Sequence, residues 1–253
     1  MGDDVIVETR HLTKEFKGFV AVSDVSLKIR RHTIHALIGP NGAGKTTCFN
    51  LITKFLAPSG GRILFNGHDI TGTRPAEVAR AGMVRSFQIS AVFGHLTALE
   101  NVRVALQRKL GTSFHFWKPV RSLARLDGQA MDLLEAVGLA DARDIPAGEL
   151  SYGRKRALEI ATTLAVDPEM LLLDEPMAGM GGEDVERTAQ LIRRVAAGRT
   201  VLMVEHNLSV VADLSDTITV LECGRVLAEG PYAAIAADPR VMEAYMGTGV
   251  AHG

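Results

Sequence analysis

The sequence predicts an α/β fold, a mostly parallel and doubly wound sheet carrying an antiparallel β subdomain and an inserted helical lobe. Three observations carry that prediction. Short apolar runs at Thr33–Ile38, Met170–Leu173 and Thr200–Val204 are bounded by polar or turn residues, as strands covered on both faces require. Helix-period patterns at Lys45–Leu56, Gly182–Ala197 and Leu208–Leu214 alternate with them, and such alternation builds parallel sheets. Between about Ala91 and Leu164 the apolar spacing is helical, as at Leu96, Leu99, Val102 and Leu106, and no strand pattern is convincing.

The stretch Val5–Ile29 and the segment Gly61–Phe65 read instead as antiparallel hairpin strands turning near Gly18 and Gly67. The chain, 1–253, is therefore read as one domain, with a core lobe of about 1–90 and 165–253 and a helical lobe of about 91–164.

Composition narrows the function. With 47% hydrophobic and 23% charged residues the chain can bury a sizeable core. Its net charge is −1, from 28 basic and 29 acidic residues. A nucleic-acid partner held by phosphate neutralisation needs a basic excess, so none is expected. Cys48 and Cys223 stand far apart, in no metal-ligand spacing, and read as reduced thiols. The opening Met-Gly-Asp-Asp is acidic where a signal peptide is basic. No apolar run reaches the roughly 18 residues of a membrane span. Any membrane role is expected to pass through a separate partner chain.

Gly39, Pro40, Asn41, Gly42, Ala43, Gly44, Lys45 and Thr46 fit the phosphate-loop pattern G-x-x-x-x-G-K-[ST]. An apolar run ends at Ile38 and a helical pattern begins near Lys45, the context the motif demands. Such a loop turns its N–H groups toward one point, and the helix N-terminus adds its dipole there. Lys45 is expected on the β- and γ-phosphates and the Thr46 hydroxyl on Mg²⁺. The fold is thus a phosphate-loop NTPase core.

A second cluster follows the run Met170–Leu173, which ends in Asp174 and Glu175. Carboxylates at the C-terminal end of a buried strand point into the crevice where α/β sheets bind ligands. Asp174 is expected to orient Mg²⁺, leaving Glu175 to polarise the attacking water.

Leu150-Ser151-Tyr152-Gly153 resembles the signature motif of ABC ATPases, and the other family marks fall in the same order. Gln88, in Ser86-Phe87-Gln88, matches the glutamine-loop residue, a catalytic and Mg²⁺-contacting position. His206 matches the switch histidine, and Phe16 the aromatic that stacks on adenine. Alone, each has an ordinary reading: a core aromatic, a loop histidine, a surface glutamine. The resemblance places Thr47 with the phosphate loop, and Ser151, Tyr152 and Gly153 at the ATP of an opposite subunit. Within the family, Val84-Arg85-Ser86-Phe87-Gln88, Tyr152, Leu158-Glu159-Ile160-Ala161, an enlarged segment between Lys109 and Asp127, and the ending Ala244-Tyr245-Met246-Gly247 look like the LivG-type ATPases of branched-chain amino acid importers.

The signature helix has a charge pattern of its own. Ser151 is a good N-cap, yet Arg154, Lys155 and Arg156 crowd a first turn where the dipole disfavours cations. Either a bound anion offsets them, or they form a solvated face with Glu149 and Glu159 nearby. Two departures from the family stand out: Gly181 replaces the usual Asp or Asn that helps bridge two ATP sites, and Arg154-Lys155 stand where glutamines are common.

The resemblance implies an ATP-binding and ATP-hydrolysing subunit that uses ATP and Mg²⁺ and powers an importer for branched-chain amino acids or related small polar solutes. It implies a second ATPase subunit (a homodimer or a sister ATPase), two transmembrane permease subunits and an indirect periplasmic solute-binding protein. The place implied is the cytoplasmic face of the inner membrane. ATPases of exporter-type or non-transport ABC systems are the alternative. The aromatic segment Phe114-His115-Phe116-Trp117-Lys118 is expected either to face the membrane subunits or to pack on the helical lobe.

Overall fold

Burial on one face or both decides which sheet each strand joins. The computed structural model describes residues 4–86, 92–109 and 126–246. Strands β1 (Val5–Phe16), β2 (Phe19–Val25), β3 (Lys28–Arg30) and β4 (Ile34–Ile38) come first, then helix α1 (Lys45–Ile52). Strands β5 (Gly60–Phe65) and β6 (His68–Asp69) lead through α2 (Pro75–Arg80) to β7 (Met83–Ser86). Helices α3 (Ala98–Lys109), α4 (Asp127–Ala136) and α5 (Tyr152–Leu164) follow. The chain closes with β8 (Met170–Asp174), α6 (Gly182–Ala196), β9 (Thr200–Val204), α7 (Leu208–Leu214), β10 (Thr217–Glu222), β11 (Arg225–Gly230), α8 (Tyr232–Ala236) and α9 (Pro239–Met246).

Every residue of β4, β8 and β9 is buried, the signature of strands covered on both faces. They lie in a six-stranded sheet of order β11-β10-β4-β9-β8-β7. β10, β4, β9 and β8 run parallel and β11 pairs antiparallel with β10. β9 and β10 flank β4 on opposite sides, so the order reverses at β4, where an open α/β sheet offers its ligand crevice.

The second sheet has the order β2-β1-β5-β6, with β3 also on β1, and its assigned pairs are antiparallel. Its hairpins turn where expected. Asn66 and Gly67, between the paired Phe65 and His68, have φ of 52° and 76°, the left-handed pair that a two-residue hairpin of strand-matching twist requires. Phe49, Leu51 and Ile52 of α1 are buried in a core shared with Ile63, Phe65, Leu172 and Leu202.

Helix α1 ends four residues earlier than its apolar spacing predicts. Thr53 bonds back to the Phe49 carbonyl, Lys54 turns to φ 63°, and the N–H of Leu56 reaches the Asn50 carbonyl. A left-handed residue satisfying the last carbonyls is a helix stop, here made without glycine.

Packing divides the chain into two units, Met1–Arg85 with Glu169–Glu175 and Ala196–Gly253, and Ser86–Pro168 with Pro176–Val195. The sequence placed 176–195 in the core lobe; these residues group with the helices instead. The reason is lateral packing, since Leu191 and Thr188 of α6 share a recess with Leu139 and Ala157. In the helical unit Thr97 and Glu100 form a reciprocal capping box at the start of α3. Buried Asn101 ties that start to Phe93 and Leu96. No strand was expected between Ala91 and Leu164, and the described residues there hold helices and one isolated bridge, Thr97 with Pro146. Gln88, the 109–127 insertion beyond its flanking helix ends, Phe114–Lys118 and the terminal Gly247 lie outside the described residues.

Candidate functional site

The site begins where β4 ends. Ile38 is the last strand residue and Lys45 the first of α1, so Gly39–Gly44 form the link between them. Gly44 caps the helix at φ 95°, and a Cβ there would stand 2.5 Å from the Ala21 carbonyl oxygen. Only glycine closes the loop this tightly onto β2. The Ala43 carbonyl accepts the Gly224 N–H at 3.0 Å, pinning the loop to the β10–β11 turn. Asn41 and Gly42 are exposed beside an open recess of about 580 Å³ lined by Pro40–Ala43, Glu222 and Arg240.

Lys45 turns its ammonium back onto this loop, donating to the carbonyls of Gly39 at 2.7 Å and Pro40 at 3.0 Å. Partial burial lowers its pKa, while the negative charge of Glu175 acts in the opposite sense. Thr46 is exposed in the first helical turn and Thr47 half-buried behind it. Cys48 is fully buried, its thiol pushed up to about 12, so it stays an uncharged thiol.

Asp174 and Glu175 leave the end of β8 in different environments. Asp174 is 3% exposed, and its Oδ2 accepts Arg85 NH2 at 2.6 Å. Glu175 is half-buried, holds φ 44° and donates its N–H to the Val204 carbonyl at 2.9 Å. A left-handed backbone on a non-glycine residue costs about 1–2 kcal/mol and gathers at functional sites.

At the end of β9, Glu205 is fully buried and its Oε2 accepts the N–H of His206 at 2.7 Å and of Asn207 at 3.0 Å. Asn207 then caps α7 through Ser209 and Val210. The His206 side chain is left largely exposed. Phe16 ends β1 with 43% of its surface exposed and the Lys14 ammonium 5.0 Å from its ring, so it is no core aromatic.

Lys45, Glu175 and His206 thus hang from the C-terminal ends of three adjacent strands, β4, β8 and β9, with Asp174 beneath them. The loop runs into a helix N-terminus and carries a cation, the match for a polyphosphate. Among the described residues no three His, Cys, Asp or Glu side chains converge as a metal cage. That fits Mg²⁺, which asks a protein for one or two hard oxygens and takes the rest from phosphates and water. The Thr46 hydroxyl and the Asp174 carboxylate are donors of that kind.

In the helical unit Ser151 is the N-cap of α5, its hydroxyl accepting the Arg154 N–H at 3.5 Å. Tyr152 is 55% exposed. A recess of about 370 Å³ there is lined by Ser151, Gly153, Arg154, Asp184, Arg187 and Arg194. The charge pattern left open by the sequence is largely answered within the chain. Arg154 pairs with Asp141, and Arg156 with Glu159 at 2.7 Å, both of the latter buried. Gly181 is exposed, its carbonyl accepting the Val185 N–H at 3.0 Å.

Sequence reasoning gave Arg85 and Glu205 no place in the site. The available signals were a cation inside a short strand and an acid directly after a nearly apolar one, each anomalous unless paired.

The strands, loop and acids define a nucleotide-binding cassette. The family model described as ABC transporter matches residues 22–178, and a branched-chain amino acid ATP-binding cassette transporter model matches residues 225–251. The chain is 39% identical over 251 residues to the high-affinity branched-chain amino acid transport ATP-binding protein BraF of Pseudomonas aeruginosa, covering 96% of this chain and 98% of that one. It is 37% identical over 249 residues to LivG of Escherichia coli, again covering 96% and 98%. A crystal structure of the ADP conformation of an ATP-binding cassette of an ABC transporter superposes with a TM-score of 0.84 at 32% identity, covering 96% of this chain and 99% of that one. The chain belongs to the ABC transporter family as an ATP-hydrolysing, ATP-binding subunit, homologous to the ATPases of branched-chain amino acid transporters.

Proposed function

We propose that this subunit powers an importer of branched-chain amino acids or related small polar solutes, working in a pair of ATPase subunits beneath two permease chains. The observation that carries the reading is the likeness to BraF and LivG along nearly the whole chain, joined to a matching C-terminal family segment. No helix among the described residues is long and apolar enough to cross a membrane. The permeases supply that part, a periplasmic binding protein delivers the solute, and this chain sits on the cytoplasmic face.

The residues divide the work. Phe16 stacks on adenine, and the loop Gly39–Thr47 cradles the phosphates through its backbone N–H groups, which Pro40 alone lacks. For catalysis Lys45 leaves the Gly39 and Pro40 carbonyls for the β- and γ-phosphates. Thr46, Asp174 and Gln88 would hold Mg²⁺, which when bound neutralises charge on the phosphate oxygens. Glu175 accepts the proton of the attacking water, and His206 donates a hydrogen bond to the developing charge on the γ-phosphate. Ser151, Tyr152 and Gly153 serve the nucleotide of the opposite subunit.

The test is reconstitution with two permease chains and the binding protein of a branched-chain amino acid importer. Leucine- or isoleucine-stimulated ATP hydrolysis and uptake are expected; stimulation only by an unrelated solute, or outward transport, would overturn the assignment.

A further inference from the structure

Arg85 is a cation built into the ligand end of the sheet. Its NH2 donates to Asp174 Oδ2 and its NH1 to Asn50 Oδ1, each at 2.6 Å. The guanidinium also lies 5.0 Å from the Phe49 ring centre and 5.4 Å from that of Phe55. These contacts over-determine one rotamer. They also connect β8 to α1, the helix that Lys45 begins. The pair is shielded from solvent, with side-chain exposures of 14% for Arg85 and 5% for Asp174, so salt screens it little.

Burying a carboxylate this deep costs free energy unless other groups compensate its charge, and the Arg85 guanidinium does so here. The same charge repels a divalent cation approaching Asp174, and it engages one carboxylate oxygen that a metal or its water shell could otherwise use. Free Mg²⁺ therefore gains little here until phosphates bring their own negative charge.

We propose that Arg85 is a positioning residue that stands in for the metal at Asp174 and makes metal entry conditional on nucleotide. The proposal rests on reading Asp174 as the metal-orienting carboxylate. Arg85 fixes the direction of that carboxylate, and by its charge it keeps the site from filling with metal alone.

Mn²⁺ titration followed by electron paramagnetic resonance tests this on the full chain without nucleotide, with melting in chelator and in Mg²⁺ beside it. The unaltered chain should bind Mn²⁺ weakly and melt alike in both. Arg85→Gln should bind Mn²⁺ alone at least about tenfold more tightly, the direction set by removing a nearby like charge. It should melt lower in chelator and recover in Mg²⁺, because metal then binds the folded state alone. Equal Mn²⁺ affinity in the two proteins would overturn the proposal. If Arg85→Gln does not fold, Arg85→Met carries the test, since its side chain can still pack over Phe49 and Phe55 but brings no charge. A gain of about tenfold is expected there too, and no gain overturns. Asp174→Asn separates the two readings. It should weaken Mg²⁺-dependent nucleotide binding in the unaltered background; if it does not, the metal does not sit at Asp174 and the proposal falls with that reading, whereas weakened binding beside equal Mn²⁺ affinity of the Arg85 variant overturns the proposal alone.

Discussion

Glu175 donates its backbone N–H to the Val204 carbonyl at 2.9 Å while its own φ stands at 44°, so a bond from β9 holds the residue after β8 in a left-handed turn. The turn ends the strand and redirects the next side chain at the point where Asp174 points into the sheet. A left-handed backbone also ends α1 at Lys54 and turns a hairpin at Asn66, so what sets Glu175 apart is its place beside Asp174 at the end of β8.

Glu175→Gln keeps the turn and the side-chain shape but removes the base. Hydrolysis should fall by about 10²–10⁴, the usual worth of a positioned general base, with ATP affinity retained. Single-turnover hydrolysis beside equilibrium nucleotide binding checks this. A rate within threefold of the unaltered chain, in the same assay, would assign the proton to another group.

Lys45→Ala should act on binding. Its ammonium holds two loop carbonyls and is free to exchange them for phosphate oxygens of far greater charge. Hydrogen bonds to charged partners are worth about 1.5–3 kcal/mol, so ATP affinity should drop by roughly tenfold to a hundredfold. Calorimetric titration with ATP reads it, and an unchanged affinity would remove the loop from phosphate binding.

Phe16→Ala should weaken ATP and GTP alike by about 1–3 kcal/mol, the usual worth of a base stacked on an aromatic ring. The ring is 43% exposed, so truncation leaves the core intact and the melting temperature nearly unchanged. A fluorescent-nucleotide titration beside a thermal melt separates lost stacking from lost structure.

His35 gives the fold a pH dependence. It is 1% exposed, and burial pushes its pKa from 6.5 down to about 4. The Thr219 hydroxyl donates its only proton to Glu229, so His35 Nε2 donates to Thr219, and burial keeps the ring neutral. The unfolded chain binds this proton first as pH falls. Stability is therefore complete above pH 6.5 and lost on the way down to 4, by about 2–3 kcal/mol between pH 7.5 and 4.5. Urea unfolding at several pH values should show a shallower slope for His35→Gln over that window, and equal slopes would assign the dependence to other groups.

Much of this was legible because the physics behind it is local. A strand buried on both faces is nearly continuous in apolar residues, which is why β4, β8 and β9 stood out, and the turn at Gly44 admits no other residue. Helix α1 was overextended because Phe55 and Leu56 continue its apolar period, whereas Lys54 in a left-handed conformation actually ends it. The clamp on Asp174 was not legible at all, since Arg85 and Asp174 are 89 residues apart and neither position alone names the other. The signature cations stayed open for a related reason: Arg154 finds Asp141 13 residues away, and only Arg156 and Glu159 had a helical spacing to reveal their pairing.

The last prediction concerns where the signature acts. Lys45 belongs to the sheet unit and Ser151 to the helical one, and both present groups suited to the same γ-phosphate, an ammonium and a capped helix start. If each ATP lies between the loop of one subunit and the signature of the other, Lys45→Ala and Ser151→Arg on separate chains of a mixed dimer should ruin a single site twice and leave the other whole. Both changes on one chain should ruin both sites. A signature acting in its own subunit reverses the two outcomes, so the experiment distinguishes the models without reference to absolute rates. Arg at 151 also forfeits the N-cap, about 1 kcal/mol, which a thermal melt of each single variant will register separately. Gly181 bears on the size of the surviving signal: it carries no side chain to link the two sites, so the intact one should still turn over, at roughly half the parental rate if coupling is weak. Where the partner is a sister ATPase, Ser151→Arg in this chain should abolish nucleotide trapping in the sister's loop and spare binding at Lys45. Loss confined to this chain's own nucleotide would rule out the shared site.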